Sequence, residues 1–196
     1  MLYVGYDGKL LGTIGLADNL RENSKEAIKR LKSLGAKNII MLTGDIKEKA
    51  LKIADELGIN EVKAELLPHD KANIVKELME MGKKVAFIGD GINDAPALIS
   101  SHVGISMSRG ADIAKATADI SLLKDDIMAV VEAKEYANKT MSLINTNFNA
   151  TVGINSGILA GATFGLFSPI VTAILHNGTT IGLLLNSIKG VNLAKR

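Results

Sequence analysis

Short apolar runs alternate with amphipathic stretches along the first 125 residues. The runs at 39–42 and 85–88 each lie between segments whose apolar residues recur at helical spacing. Such runs are typical of buried strands in a parallel sheet. Further strands are predicted around 62–65, 103–107 and 120–123. The alternation predicts an α/β fold, an open and mostly parallel sheet with helices on its faces.

A different pattern opens the chain. Two short apolar stretches, residues 3–6 and 10–14, flank Asp7-Gly8-Lys9. Gly and Asp between two short strands are a turn signal, so a β-hairpin is predicted here. The helices that follow are expected to stop at Gly35, Gly58 and Gly82, because glycine readily ends a helix.

The last third of the chain lacks charge. Residues 140–188 contain no Lys, Arg, Asp or Glu. Two stretches within it, 144–167 and 169–188, have the length that spans a ~30 Å hydrocarbon core, which predicts a transmembrane hairpin. Cations flank the pair, so both ends are expected to face the cytoplasm. These cations are Lys134, Lys139, Lys189, Lys195 and Arg196. The alternative is a pair of helices buried in a large soluble core.

Composition excludes several classes of function. The net charge of +2 is too small to suggest a nucleic-acid partner, and no basic stripe with interleaved aromatics occurs. Cysteine is absent, so there is no disulfide, thiolate nucleophile or thiolate metal site.

Polar residues follow the predicted strands where parallel sheets usually carry their chemistry. Thr43 and Gly44 follow one strand, Asp90 and Asp94 follow another, and Lys71 lies near a predicted helix start. Carboxylates suit Mg²⁺, and a lysine, a hydroxyl and a backbone amide suit phosphate. This combination indicates phosphoryl transfer. The alternative is that the aspartates only cap helices and the lysine is solvated.

Three motifs resemble one known family. They are MLTGD at 41–45, PHDK at 68–71 and GDGINDAPAL at 89–98. The chain resembles the phosphorylation domain of a heavy-metal-transporting P-type ATPase, which has a Rossmann-like fold of the haloacid dehalogenase type. The resemblance implies catalytic roles for Lys71, Asp90, Asp94 and Thr43, with Mg²⁺ on Asp90, supported by Asp94 and Asn93. It also implies a phosphate and ATP cleft lined by Thr43, Gly44 and Asp45.

The same resemblance divides the chain. Residues 1–17 would end a nucleotide-binding domain, with a hinge at 18–21, and 18–125 would be part of the phosphorylation domain. Residues 126–143 would form a linking helix, and 144–190 the transmembrane hairpin.

One motif of the family is missing. Its phosphate-accepting aspartate lies in a D-K-T-G-T motif, and this sequence has none. Without an acceptor carboxylate no covalent intermediate forms. The chain is therefore expected to be the C-terminal portion of a pump, inactive alone, with the N-terminal portion or other membrane helices as partners.

Two sets of residues mark the charge-free region. Glycines 153, 157, 161 and 165 recur every four residues, which indicates close helix packing. By resemblance His176, Asn177 and Thr179, and after them Asn155, are the candidates to bind the transported ion. An imidazole favours a transition metal, and Zn²⁺, Co²⁺, Fe²⁺ and Mn²⁺ all stay open. The alternative is a histidine that only makes a hydrogen bond between helices.

Three functions follow from these observations. The leading one is the C-terminal part of an ATP-driven exporter or importer of a divalent metal, in the membrane with its soluble part in the cytoplasm. The second is a non-catalytic membrane module that docks on a complete pump. The third is a phosphatase-like domain of the haloacid dehalogenase type.

Overall fold

The fold is described from a computed structural model, which covers residues 2–15, 20, 23–90, 92–108 and 112–194. The predicted hinge residues Asp18, Asn19 and Arg21 lie outside these ranges, as do Gly91, Lys195 and Arg196. The chain divides into two compact units, Met1–Ala129 and Val130–Arg196.

Strands and helices alternate through the first unit, with one short helix, at 112–117, that was not predicted. The strands are β1 Leu2–Tyr6, β2 Lys9–Ile14, β3 Ile40–Leu42, β4 Glu61–Lys63, β5 Ala86–Gly89, β6 Val103–Ser106 and β7 Ile120–Ser121. The helices are α1 Ser24–Ser33, α2 Lys47–Leu57, α3 Pro68–Glu80, α4 Ala95–Ser100 and α5 Asp112–Thr117, with a 3₁₀ turn at Ile92–Asp94. The predicted parallel α/β fold is confirmed.

The hairpin forms as the turn signal predicts. β1 and β2 pair antiparallel, and the turn residues Asp7 and Gly8 have φ of 47° and 71°. Two positive φ values in a two-residue turn match the right-handed twist of the strands. All described side chains from Tyr3 to Ile14 are exposed.

The parallel strands form two sheets rather than the single predicted one. β3 pairs with β4, and β5 pairs with β6, which pairs with β7; all three pairings are parallel. Among the described residues no ladder joins β3 to β5. β4 also ends earlier than the predicted 62–65, because Glu65 adopts a left-handed φ of 59° that no strand can continue.

One apolar cluster contains residues from both sheets and from the helices next to them. Its buried members are Ala72, Val75, Phe87, Ala97 and Leu98. Leu42, from β3, packs against the same cluster, as do Met79, Val85 and Ala118. Residues of α3, α4 and both sheets thus contribute to this cluster.

Three helices of the first unit end close to a glycine with positive φ. Gly58 terminates α2 in the left-handed conformation, with φ of 70°, and its N–H bonds the carbonyl of Asp55 at 3.1 Å. Gly35 and Gly82 follow α1 and α3 and have positive φ. The three predicted stops are confirmed.

The second unit consists of two helices. α6 runs from Met128 to Thr163 and α7 from Pro169 to Ala194. The predicted linking helix and the predicted first span lie in this one continuous helix, because the change from charged to uncharged residues near 140 contains no helix-breaking residue. α6 ends at Thr163, before Gly165, whose φ is 74°.

The predicted membrane spans, 144–167 and 169–188, lie mostly within α6 and α7. In the part of the chain that the structure describes, none of the helices combines the length and the apolar character needed to cross a membrane.

Tight packing of β6 against α4 gives a test of the fold. A Cβ added at Gly104 would lie 2.8 Å from the backbone carbonyl oxygen of Leu98, which cannot rotate away. We expect Gly104→Ala to lower the free energy of unfolding by about 2 kcal/mol, measured by urea denaturation. Gly12→Ala is the control, because nothing lies within 4 Å of its added Cβ. Equal stabilities of the two variants would contradict the packing.

Candidate functional site

The carboxyl end of β5 turns sharply at Gly89. A Cβ at this position would lie 2.7 Å from the Cβ of Asp94, so only glycine permits the approach. Asp94 ends the 3₁₀ turn and precedes α4, and it is buried with 9% of its surface exposed. The Asp90 N–H donates to Asp94 Oδ2 at 3.4 Å. The turn therefore places a buried carboxylate next to the backbone of an exposed one.

The first turn of α3 delivers a lysine to this carboxylate. Pro68 occupies the first turn, and Asp70 Oδ2 accepts from the Leu67 N–H at 2.8 Å, which satisfies one unpaired amide of the helix start. With the turn fixed, Lys71 Nζ lies 2.7 Å from Asp94 Oδ1. The two side chains are only 15% and 12% exposed, so water screens the pair weakly.

A second loop follows β3. The Thr43 N–H donates to the Lys63 carbonyl, and the Thr43 carbonyl accepts from the Leu66 N–H, at 3.0 and 3.1 Å. Thr43 Oγ1 accepts from the Asp45 N–H at 3.1 Å. Its hydroxyl hydrogen is still a donor that could meet an anionic oxygen. Gly44 approaches the neighbouring loop, since an added Cβ would be 3.3 Å from the Leu66 carbonyl oxygen.

The predicted phosphate-site residues fall into two groups. Lys71, Asp90 and Asp94 come together at the end of β5, and Asn93 is exposed in the same turn. Thr43, Gly44 and Asp45 lie on the β3 side, where Asp45 makes an exposed ion pair with Lys49 at 3.8 Å. Within the described ranges, no hydrogen bond or ion pair links one group to the other.

The donor set at the end of β5 fits Mg²⁺. The Asp90 side chain is exposed, while Asp94 holds its two oxygens toward Lys71 and the Asp90 amide. Mg²⁺ usually takes one or two carboxylates and completes its shell with water and phosphate oxygens. Among the residues the structure describes, no group of three or more His, Asp or Glu that could hold a metal occurs.

A separate polar contact joins α6 and α7. His176 Nδ1 lies 3.1 Å from Asn155 Oδ1. Because an amide oxygen only accepts, Nδ1 carries the hydrogen, and in a neutral ring Nε2 keeps its lone pair. Of the other predicted ion-binding residues, Thr179 donates its hydroxyl to the Leu175 carbonyl at 2.8 Å, and Asn177 is exposed.

The structure adds a second polar contact that sequence reasoning missed. Asn147 donates to Ser187 Oγ at 2.7 Å and accepts at Oδ1 from the Asn186 amide at 2.8 Å. The sequence does contain a sign of this contact, since these uncharged polar residues stand in or beside a segment without charge. Their pairing depends on the register of the two helices, which spacing along one helix does not give.

Comparisons with known proteins identify the family of the first unit. Residues 3–102 match the family model for hydrolases of the haloacid dehalogenase-like type. Over 188 residues, 95% of this chain, the sequence is 39% identical to a zinc-exporting P-type ATPase of Mycobacterium marinum. It is 40% identical over the same length to a manganese-exporting P-type ATPase of Mycobacterium tuberculosis.

A solved structure also shows similarity to a P-type ATPase. The fold is similar to that of a zinc-transporting PIB-type ATPase in the E2.Pi state, with a TM-score of 0.81 and 35% sequence identity over 88% of this chain. The chain spans 26% of the length of each curated relative named above and 28% of that structure. The resemblance to heavy-metal P-type ATPases is confirmed.

The shielded pair predicts a measurable coupling. A double-mutant cycle with Lys71→Met and Asp94→Ala should give an interaction energy of about 1 kcal/mol or more in urea denaturation, because either single change leaves a weakly screened charge without its partner. The matched cycle on Lys49 and Asp45, 40% and 50% exposed, should give about 0.5 kcal/mol or less. Equal couplings in the two cycles would mean that Lys71 and Asp94 do not form this contact.

Proposed function

Because the chain belongs to the haloacid dehalogenase-like hydrolase family, we propose that it supplies the Mg²⁺ and phosphate site of an ATP-driven heavy-metal exporter of the P type. The observation that carries the proposal is the ion pair of Lys71 and Asp94, 2.7 Å long, beside the exposed carboxylate of Asp90. Phosphoryl transfer needs a positive charge near the phosphate and carboxylates that hold Mg²⁺. Lys71, Asp90 and Asp94 offer these groups at the carboxyl end of β5.

Each residue would have a distinct task. Lys71, held at one carboxylate oxygen of Asp94, keeps further N–H bonds for a phosphoryl oxygen, since an ammonium has three. Thr43 would donate its hydroxyl to another oxygen of the same group. Asp90 would ligate Mg²⁺, which when bound offsets negative charge on the phosphoryl oxygens. Asp94 positions both Lys71 and the Asp90 backbone.

The proposed cargo is a divalent transition-metal cation. The two curated relatives are a zinc exporter and a manganese exporter by name. In this chain, His176 donates Nδ1–H to Asn155, which leaves Nε2 for a metal. A metal-binding histidine commonly has its second nitrogen held in this way. Asn177 and Thr179 would complete the set.

We place α6 and α7 in a membrane as part of the same proposal. Residues 140–188 contain no Lys, Arg, Asp or Glu. Two pairs of polar side chains in this region form hydrogen bonds between α6 and α7: Asn155 with His176, and Asn147 with Ser187. Polar side chains that bond each other cost less to remove from water. Lipid, and the remaining helices of such a pump, would then be the partners of this unit.

A non-catalytic module that docks on a complete pump is the second candidate. The two candidates differ in whether Asp90 is needed for ATP hydrolysis.

Membrane insertion is open to a direct test. We expect the chain, expressed in cells, to stay with membranes after an alkaline wash. Leu159→Lys should reduce this fraction, because a lysine near the centre of a span costs about 3 kcal/mol. Met141→Lys is the control, since near a span end the side chain reaches the interface. Full recovery of the parent chain in the supernatant would contradict the proposal.

ATP hydrolysis and metal dependence are tested by complementation. The chain would be expressed with the part of the Mycobacterium marinum zinc-exporting ATPase that lies outside the matched region. We expect zinc-stimulated ATP hydrolysis, which Asp90→Asn lowers about 100-fold or more by removing the Mg²⁺ ligand. His176→Ala should instead raise the zinc concentration needed about tenfold.

Controls separate site effects from folding. Asp55→Asn, an exposed position on α2, and Leu175→Ala, beside His176, should behave like the parent. The chain alone should form no acid-stable phosphoenzyme from ATP. If Asp90→Asn keeps full activity in the complemented pump, the docking module becomes the better description.

A further inference from the structure

We propose that Asn147 is a positioning residue for the proposed metal site of the second unit. With Asn186 and Ser187 it forms a cluster of polar side chains between α6 and α7, here called the distal cluster. The distal cluster holds the helices in the register in which Asn155 meets His176. The inference deepens the proposed function and rests on it for the bound ion alone.

The distal cluster is a directional contact between the two helices. Asn147 Nδ2 donates to Ser187 Oγ at 2.7 Å, and Asn147 Oδ1 accepts from Asn186 Nδ2 at 2.8 Å. The Ser187 hydroxyl donates in turn to the Leu183 carbonyl at 3.0 Å. Hydrogen bonds weaken steeply with distance and angle, so a shift of either helix would break both contacts of the Asn147 amide.

The proposed metal site lies between two points at which the helices are joined. At one end the loop after α6 connects them, and Phe167 packs directly on Gly161, where no Cβ would fit. At the other end is the distal cluster. From Asn147 to the end of α6 at Thr163 is about 24 Å, at about 1.5 Å per residue, and Asn155 lies between these points.

Apolar packing alone would not fix the register at the distal end. Apolar contacts are non-directional. The rows of glycine on the two helices do not interlock either, since nothing lies within 4 Å of a Cβ added at Gly153, Gly157, Gly178 or Gly182. A shift by one helical turn would instead leave the Asn147 amide unpaired, which is costly in apolar surroundings.

The register decides what His176 offers to a cation. In the observed register Asn155 Oδ1 accepts from His176 Nδ1–H, and Nε2 of the neutral ring keeps its lone pair. A shift would remove Asn155, and the ring hydrogen would then exchange between the two nitrogens. Loss of such an orienting partner typically costs about 10- to 100-fold in metal affinity. Asn147 would thus act on the cation through Asn155, about 12 Å away along α6.

The first test follows the tautomer of His176 by nitrogen NMR of the full chain in detergent micelles. The chain has three histidines, so the signals are assigned by comparison with His176→Ala. At a pH where the ring is neutral, the parent should hold its hydrogen on Nδ1. Asn147→Leu keeps the side-chain size without the hydrogen bonds and should show both tautomers in exchange. Asn149→Leu, the same change at an exposed position of α6, should give the parent spectrum.

The second test restores the register without the amide. A Cβ added at Gly190 would lie 2.6 Å from Leu143 Cδ2, so the backbones are close enough for a disulfide between cysteines placed there. The chain has no other cysteine. Leu143→Cys and Gly190→Cys, added to Asn147→Leu and oxidised, should return the parent spectrum of His176. Reduction of the disulfide should abolish this rescue.

Zinc dependence is measured in the pump complemented as described above. Asn147→Leu should raise the zinc concentration for half-maximal ATP hydrolysis about tenfold, and the disulfide should reverse this. Ser187→Ala should raise it about threefold, because one interhelical hydrogen bond is lost and the bond to Asn186 remains. Asn149→Leu should behave like the parent. Circular dichroism checks folding, and Ser187→Ala carries the test if Asn147→Leu does not fold.

The outcomes are distinct. A changed His176 spectrum in Asn147→Leu, with no zinc-stimulated hydrolysis in the parent pump, supports the positioning role and contradicts the proposed function. An unchanged spectrum overturns the positioning role, whatever the hydrolysis shows. A loss of zinc affinity that the disulfide does not reverse would make Asn147 a direct ligand and also overturn it. Equal effects of Asn147→Leu and Asn149→Leu overturn it as well.

Discussion

The ion pair between Lys71 and Asp94 is the interaction on which the rest of the site depends. It joins the first turn of α3 to the turn after β5 across 2.7 Å, and both side chains are largely shielded from water. A shielded charge is costly without its partner, so each residue requires the other. The pair also keeps Asp94 beside the Asp90 amide and so fixes the position of the proposed Mg²⁺ ligand.

Local patterns explain why much of this site was predictable. An apolar run followed by glycine and aspartate marks a strand end, and it located Asp90 and Asp94 correctly. The contact of Lys71 with Asp94, 23 residues away, was not predicted. That contact depends on how α3 crosses the sheet, which no local pattern specifies. The need for glycine at residue 89 also depends on Asp94 folding back over it.

The contacts between α6 and α7 also could not be predicted from local sequence patterns. The absence of charge from 140 to 188 predicted a transmembrane hairpin. The structure has two long helices there, and their place in a membrane stays a proposal. The sequence pattern had a limit. It could not predict that Asn147 meets Ser187 while Asn155 meets His176, since both contacts depend on the relative register of α6 and α7. The alternatives left open for His176 were packing and ion binding. The Asn155 contact satisfies one nitrogen and is compatible with both.

Phosphoryl transfer depends on position more than on the identity of single groups, and errors of about 1 Å are costly. Here Thr43 follows β3 of one sheet, while Lys71 and Asp90 lie beside the other sheet. Leu42 of β3 packs against the apolar cluster that contains Phe87 of β5. Apolar contacts are non-directional, so they hold the sheets together without fixing their spacing. The distance from Thr43 to Lys71 therefore depends on how closely the apolar side chains between the sheets pack.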